Sequence, residues 1–313
     1  MRVFKKAKTK TLQLFGRGVL SPLESVLFWK YQDSLLFPPV FFLGAPRSGT
    51  TLAMQVITDV FDVGYISNQH CKYFGAPAIA EKFFHPTAER PRSGFHSIHG
   101  RTNSAYEPAE CGQWWYRFFR RHPRYVDLKG ANKRKMHRFR RSVKSLIDAF
   151  ERPVVFKNPH AALRIQPIEK FIPESLYIVV HRDEIDNAHS LLDVRQKVHK
   201  DYGKWWSMEP PSIEQLEKLP APEQVVEQVR RIYATINQDL SLSDVKPSKC
   251  FFLKYEDLCD DPAKEMDRLE QFFKDNECQI ERLNPPPKPF PRRNSITIDA
   301  ELYAEVKKYA EKH

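Results

Sequence analysis

Cysteine is sparse: Cys71, Cys111, Cys250, Cys259 and Cys278 are scattered through 313 residues. No C-x-x-C pair and no zinc-ligand spacing occurs among them. Such an odd set fits thiols used as small core residues in a reducing compartment, so a cytoplasmic location is expected. Long apolar runs are missing as well. Residues 1–29, MRVFKKAKTKTLQLFGRGVLSPLESVLFW, start basic, but Gln13, Gly16, Arg17, Gly18 and Glu24 interrupt the apolar positions. Neither a continuous signal-peptide core nor the roughly 20 apolar residues of a membrane span remains. The stretch can lie on a membrane surface as an amphipathic helix or pack on a domain, and the two read alike. There is no internal repeat and no long low-complexity linker.

Acidic residues are in deficit, with 39 Asp+Glu against 50 Lys+Arg and a net charge of +11. A basic balance admits nucleic acid, anionic lipid or a polyanionic small ligand as partner. The basic runs RFFRRHPR (117–124) and KRKMHRFRRSVK (133–144) each also read as a solvated helix face. No nucleic-acid partner is expected. The 22 Phe, 12 Tyr and 5 Trp, many in short clusters, suit a folded chain.

Three apolar, β-rich runs stand out: PVFFLG (39–44), PVVFK (153–157) and SLYIVVH (175–181); CFFLKY (250–255) is similar. None alternates strictly, which predicts buried parallel strands. Helices are expected after Gly49 and near 107–120, 133–150, 161–171, 184–197, 222–240, 262–276 and 299–311. The Pro-rich stretch 284–291 should cross in extended form before the last of them. This order predicts an α/β domain over 38–313, a central parallel sheet with helices on both faces. Residues 1–37 are expected to form a basic, amphipathic extension.

The most informative stretch is FFLGAPRSGTT, from Phe41 to Thr51. It has the strand, turn and helix start of a P-loop-containing nucleotide-binding fold, but Thr50 stands where the P-loop lysine belongs. The backbone N–H groups of Ser48, Gly49, Thr50 and Thr51 are expected to open the helix unpaired and to take an anion. Hydroxyls on Ser48, Thr50 and Thr51, and the guanidinium of Arg47, add donors. Capping of an ordinary strand–turn–helix is the plainer reading of the same residues. Without the lysine, and without an acidic magnesium partner, triphosphate hydrolysis is disfavoured. A phosphosulfate, which needs no metal, fits better.

GAPRSGTT, together with SLYIVVHRDEIDNAHSLL, resembles the PAPS-dependent sulfotransferase family over roughly 38–300. The likeness is stronger to the PRSGTT branch, with its bacterial and carbohydrate or tyrosyl-protein members. It implies PAPS (3′-phosphoadenosine 5′-phosphosulfate) as sulfo donor, no metal, and a hydroxyl or amine acceptor such as a carbohydrate, lipid or small metabolite. Arg182 and Ser190 match the family's clamp on the 3′-phosphate, and Arg195 either adds charge or is a surface arginine. Lys157, in Lys157-Asn158-Pro159, matches a lysine that stabilises the transition state, alongside Arg47. Tyr255 matches a tyrosine near the adenosine. Arg292, Arg293 and Ser295 lie where a carboxyl-terminal loop closes over PAPS.

The base is left open. Glu107, before Pro108, is placed near a helix N-terminus, with Glu110 one turn on and facing the same way. Either can serve as catalytic carboxylate if Trp114, Trp115 and Tyr116 enclose it, and His96 and His99 are further candidates. First-turn acids also simply complement a helix dipole. A non-catalytic nucleotide or polyanion binder of the same fold, and a lysine-less P-loop kinase, are the alternatives. The kinase-like His181-Arg182-Asp183 has no Gly-rich loop or D-F-G to accompany it. The acceptor and the oligomeric state are not written in the sequence.

Overall fold

A computed structural model describes residues 19–28, 34–84, 90–98, 100–122 and 124–312. Most of the basic extension, and His99, therefore lie outside the described residues. Its described part contains helix α1 (Ser21–Leu27).

The first strand, β1 (Val40–Leu43), leads through the Gly44–Gly49 turn into α2 (Thr50–Val60), and the short β2 (Gly64–Tyr65) follows. After a long irregular stretch come α3 (Lys133–Phe150), β3 (Val154–Lys157), α4 (Ile165–Phe171) and β4 (Leu176–His181). The chain continues with α5 (Glu184–His199), α6 (Ala221–Leu242), β5 (Cys250–Lys254), α7 (Tyr255–Asp260), α8 (Pro262–Asp275) and α9 (Ala300–Lys312).

All strands are parallel, in the order β2-β3-β1-β4-β5. The α/β expectation therefore holds, with each predicted strand present to within about a residue. β2 alone escaped the sequence, because two residues carry no period.

Strand pleating explains why both faces are covered. Phe41, Leu43, Phe156, Tyr177 and Val179 point to one side, packing against Phe139, Ile168, Leu191 and Val229 of α3 to α6. Val40, Phe42, Val155, Ile178 and Val180 point to the other, packing against Val56 and Ile57 of α2 and Leu269 of α8. Phe41 stacks on Phe156 at 5.2 Å between ring centroids, and Trp114 stacks on Phe156 at 5.4 Å. Each such aromatic is worth roughly 1.5–3 kcal/mol of burial.

α3 shows how the basic run 133–144 is used. Met136, Phe139, Val143, Leu146, Ile147 and Phe150 are buried on one face; Lys133, Arg134, Lys135, Arg138 and Arg141 face solvent, while the half-buried Arg140 and Lys144 pair with Glu174 and Asp148. Asn132 caps its first turn, accepting from Lys135 N at 3.1 Å.

The predicted helix over 107–120 does not form; only Gly112–Trp115 is helical. The chain before it is drawn out by a bridge between Pro108 and Ser67, and Ala109 N donates to Ile66 O at 2.8 Å. These partners are distant in sequence, and they outcompete a local helix that starts at a proline.

Candidate active site

The sheet order makes β1 the strand from which the chain first runs to one side and then to the other. Ligands in open α/β sheets bind at the carboxyl ends of the strands at such a switch point. Here that region is a cleft of about 480 Å³, walled by the loop after β1, the ends of β3 and β4, and the segment at Phe290–Arg293.

Glycines give the loop its path. Gly44 has φ +152°, and a Cβ there would lie 2.7 Å from Val180 O. Gly49 has φ +95°, and a Cβ there would run into the Tyr255 ring. Arg47 takes φ +71° without being glycine, a left-handed conformation that stores local strain. The gain is orientation: its Nε donates to Ser190 Oγ at 3.0 Å, and its carbonyl accepts from Arg182 Nη1 at 3.1 Å. Asn187 Nδ2 donates to Pro46 O at 2.8 Å, tying α5 to the same turn.

α2 opens at Gly49 without a side-chain cap. The N–H groups of Gly49, Thr50 and Thr51 find no acceptor among the described residues, and all three residues line the cleft. Ser48 departs from expectation. Its N–H donates to Ala45 O at 3.2 Å, and its side chain is fully buried, away from the cleft wall.

Three guanidiniums gather here. Arg182 is nearly buried, lies 4.8 Å from the Tyr255 ring centroid, and donates from Nη2 to Arg293 O. Its Nε is buried without a partner among the described residues. Arg293 N donates to Tyr255 Oη at 3.1 Å. Burial, then the charges of Arg182 and Arg293, push Arg47 down to about 10. Three cationic side chains brought this close, with no carboxylate among the described residues lining this side of the cleft, suit an anionic ligand.

β3 brings the other chemistry. Lys157, buried at the strand's end, donates from Nζ to Glu110 Oε1 at 2.5 Å, and Asn158 Nδ2 donates to Glu110 O at 3.1 Å. Both Glu110 and Lys157 line the cleft, as do His96, Arg101 and Trp206. Thr51 Oγ1 donates to Gly100 O at 3.3 Å, closing this wall against α2.

Glu107 does not join them. Its carboxylate accepts from Gln55 Nε2 at 2.9 Å and from Ser93 Oγ at 2.7 Å, outside the cleft lining. The two glutamates thus lie on an extended segment with different partners, not on one helical face. Trp114 and Trp115 enclose neither; both are core, and Trp114 Nε1 donates to Ser142 Oγ at 3.0 Å.

Two arginines read from the sequence serve elsewhere. Arg195 is neither surface nor cleft: it is fully buried, donating to Gln224 at 2.9 Å and Gln228 at 3.2 Å, with Trp205 against it at 5.1 Å. Arg292 pairs with Asp260 on the surface, its Nε 2.8 Å from Oδ1, and Ser295 is exposed. Arg101 and Gln55 escaped the sequence reading: Arg101 sits in irregular chain, and Gln55, on α2, carries no charge or nucleophile to single it out.

These features have counterparts in known proteins. Over residues 38–275 the chain matches the sulfotransferase family, and it belongs to that family. Among curated proteins it is similar to the omega-hydroxy-beta-dihydromenaquinone-9 sulfotransferase Stf3 of Mycobacterium bovis and of Mycobacterium tuberculosis. The identity is 23% over 272 residues, covering 79% of this chain and 66% of each relative, just under two thirds of their length. Among solved structures, sulfotransferase STF9 of Mycobacterium avium matches 96% of this chain and 73% of its own, with 15% identity and a TM-score of 0.55. Sulfotransferase STF1 of Mycobacterium tuberculosis matches 93% and 76%, with 15% identity and a TM-score of 0.52. At such identity these two structures speak for the fold.

Proposed function

We propose that the chain transfers the sulfo group of PAPS to a hydroxyl, or an amine, of an acceptor molecule. The observation that carries this reading is the convergence of Arg47, Arg182 and Arg293 beside the unpaired N–H groups of Gly49, Thr50 and Thr51. A ligand with an anionic group on either side of a ribose answers both sets of donors at once. The buried, unpartnered Nε of Arg182 fits that ligand as well.

In this reading Arg47 and the α2 N-terminus hold the 5′ phosphosulfate, with the Thr50 and Thr51 hydroxyls beside them. Arg182 holds the 3′-phosphate. Ser190, whose Oγ accepts from Arg47, keeps its own O–H free to donate to the same group. Tyr255 and Arg293 form the adenosine side. Ser48 shapes the turn, and Arg292 receives no role.

PAPS supplies an activated sulfo group, whose S–O bond to the phosphate breaks as the acceptor oxygen bonds to sulfur. Glu110 takes the proton of that acceptor hydroxyl. Lys157, which holds Glu110 in the free cleft, counters the charge gathering on the sulfo oxygens, and Arg47 counters it on the leaving phosphate. His96 lines the cleft but is exposed, so Glu110 is preferred as base. The curated relatives are named for a hydroxylated menaquinone, which supports a hydroxyl as the accepting group here. Five free cysteines support a reducing, cytoplasmic setting.

A calorimetric titration with 3′-phosphoadenosine 5′-phosphate and with ADP, each with and without magnesium, tests the donor. Tight binding that ignores magnesium, needs the 3′-phosphate and drops on Arg182→Ala is expected. Preference for ADP with magnesium would overturn the reading in favour of a kinase. Binding of the 3′-phosphorylated nucleotide without sulfation of any hydroxyl or amine acceptor supplied with PAPS would leave a binding protein.

A further inference from the structure

We propose that the outward face of α1, with the neighbouring Phe83 and Phe84, docks on the surface of an anionic lipid bilayer. α1 has apolar residues on two sides, and the contacts settle which side is inward. Leu20 packs with Ala76 and Ile79, with Phe28 and Tyr73 against the cluster. Glu24 is buried there, its Oε2 accepting from Ala78 N at 2.8 Å and Ile79 N at 3.3 Å. Arg117 Nη2 donates to Ser21 Oγ at 2.9 Å, fixing the start of the helix.

The side left outside is apolar too. Val19, Leu23, Val26 and Leu27 are 56%, 44%, 74% and 46% exposed. Positions 19, 23 and 26 follow an i, i+4, i+7 spacing, so they form one stripe along the axis. The turn Ala80–Phe84 continues from the segment that Glu24 caps, and it ends in Phe83 and Phe84, 61% and 46% exposed. The Phe84 ring lies 5.7 Å from Tyr73, which packs on the α1 cluster. Large apolar groups exposed together on two packed elements mark a contact surface.

Charge selects the partner. The one charged residue of α1, Glu24, is turned inward, so the outward stripe presents no acid. Residues 1–18, which lead into Val19, contain Arg2, Lys5, Lys6, Lys8, Lys10 and Arg17 and no Asp or Glu. An apolar insertion joined to a polybasic stretch is the two-signal combination that holds a chain on anionic lipid. A neutral protein partner would cover the stripe but leave the one-sign charge unanswered. Among the described residues no helix is long and apolar enough to cross a membrane, so the contact is interfacial.

The test sediments the full chain with vesicles of equal parts phosphatidylcholine and phosphatidylglycerol, and with phosphatidylcholine alone. Binding to the mixed vesicles and little to the neutral ones is expected. The double variant Leu23→Ser, Val26→Ser should lose about tenfold or more in partitioning, from two aliphatic side chains withdrawn from lipid. Phe83→Ser, on a separate element, should weaken it independently, and thermal unfolding confirms that each variant is folded. Unchanged binding by these variants would overturn the proposal, leaving charge alone. So would failure of the wild-type chain to bind the mixed vesicles, or a dimer in solution that the same substitutions dissociate.

Discussion

Lys157 Nζ reaches Glu110 Oε1 at 2.5 Å, while the next residue, Asn158, donates to the Glu110 carbonyl at 3.1 Å. Two consecutive residues at the end of β3 therefore hold both the side chain and the main chain of one glutamate. Glu107, three residues earlier, is held by Gln55 and Ser93 instead. The two carboxylates should separate cleanly on mutation. Glu110→Gln is expected to lower kcat by about 10²–10⁴-fold, the range for a lost general base, with nucleotide affinity retained. Glu107→Ala should leave kcat near wild type and cost about 1 kcal/mol of stability, read by denaturant unfolding, because the half-buried Ser93 hydroxyl loses its acceptor and Gln55 Nε2 keeps only His96 O.

Gly49→Ala tests the loop itself. The new methyl meets the Tyr255 ring, and φ +95° disfavours any side chain. A cost of roughly 1–3 kcal/mol is expected. Because Tyr255 and Arg182 pack together, the loss should also appear as weaker binding of 3′-phosphoadenosine 5′-phosphate in calorimetry.

Arg195→Ala distinguishes a core arginine from a ligand-binding one. It leaves the Gln224 and Gln228 carbonyl oxygens without their donor and opens a void beside Trp205. A loss of about 3 kcal/mol or more is expected in chemical denaturation. Nucleotide affinity of the folded fraction should stay at the wild-type value.

Stability should also depend on pH through Glu24. Burial raises its carboxyl to about 7 from 4.5, overriding Arg117 and the N–H groups of Ala78 and Ile79. Between these values the folded chain keeps a proton that the unfolded chain has released. The Glu24 contribution is therefore fullest below pH 4.5 and declines as pH rises to 7, by about 3 kcal/mol. Glu24→Gln keeps an acceptor for both N–H groups and removes the charge. It should raise the unfolding free energy above pH 7 and change it little below pH 4.5.

Much of the architecture was legible because it is local. The apolar runs at Val40, Val154, Leu176 and Cys250 announce strands by composition, and α3 announces itself by period. Arg47 and Arg182 were legible because a strand–turn–helix places whatever follows the strand at its carboxyl end. What the sequence hid depends on partners far along the chain. The bridge of Ser67 to Pro108 turns Glu107 and Glu110 to different neighbours. Arg293 reaches the cleft wall because Tyr255 and Arg182 hold its backbone, while Arg292 is drawn off by Asp260, and no pattern around residue 292 foretells it. Arg195 looks like any helical arginine until Gln224 and Gln228 of α6 are brought opposite.

β1 lies in the middle of the sheet with both faces covered, whereas β2, at one border, is two residues long. Opening of the domain by fraying therefore begins at the border and reaches Phe41 and Phe42 last, so their amides should be among the slowest to exchange with deuterium. Arg47 hangs from that slowest-opening piece of chain. Its left-handed backbone is further pinned by the bonds from Arg182 to its carbonyl and from Asn187 to Pro46 O. Damage at the border should appear as fraying long before it appears as lost affinity.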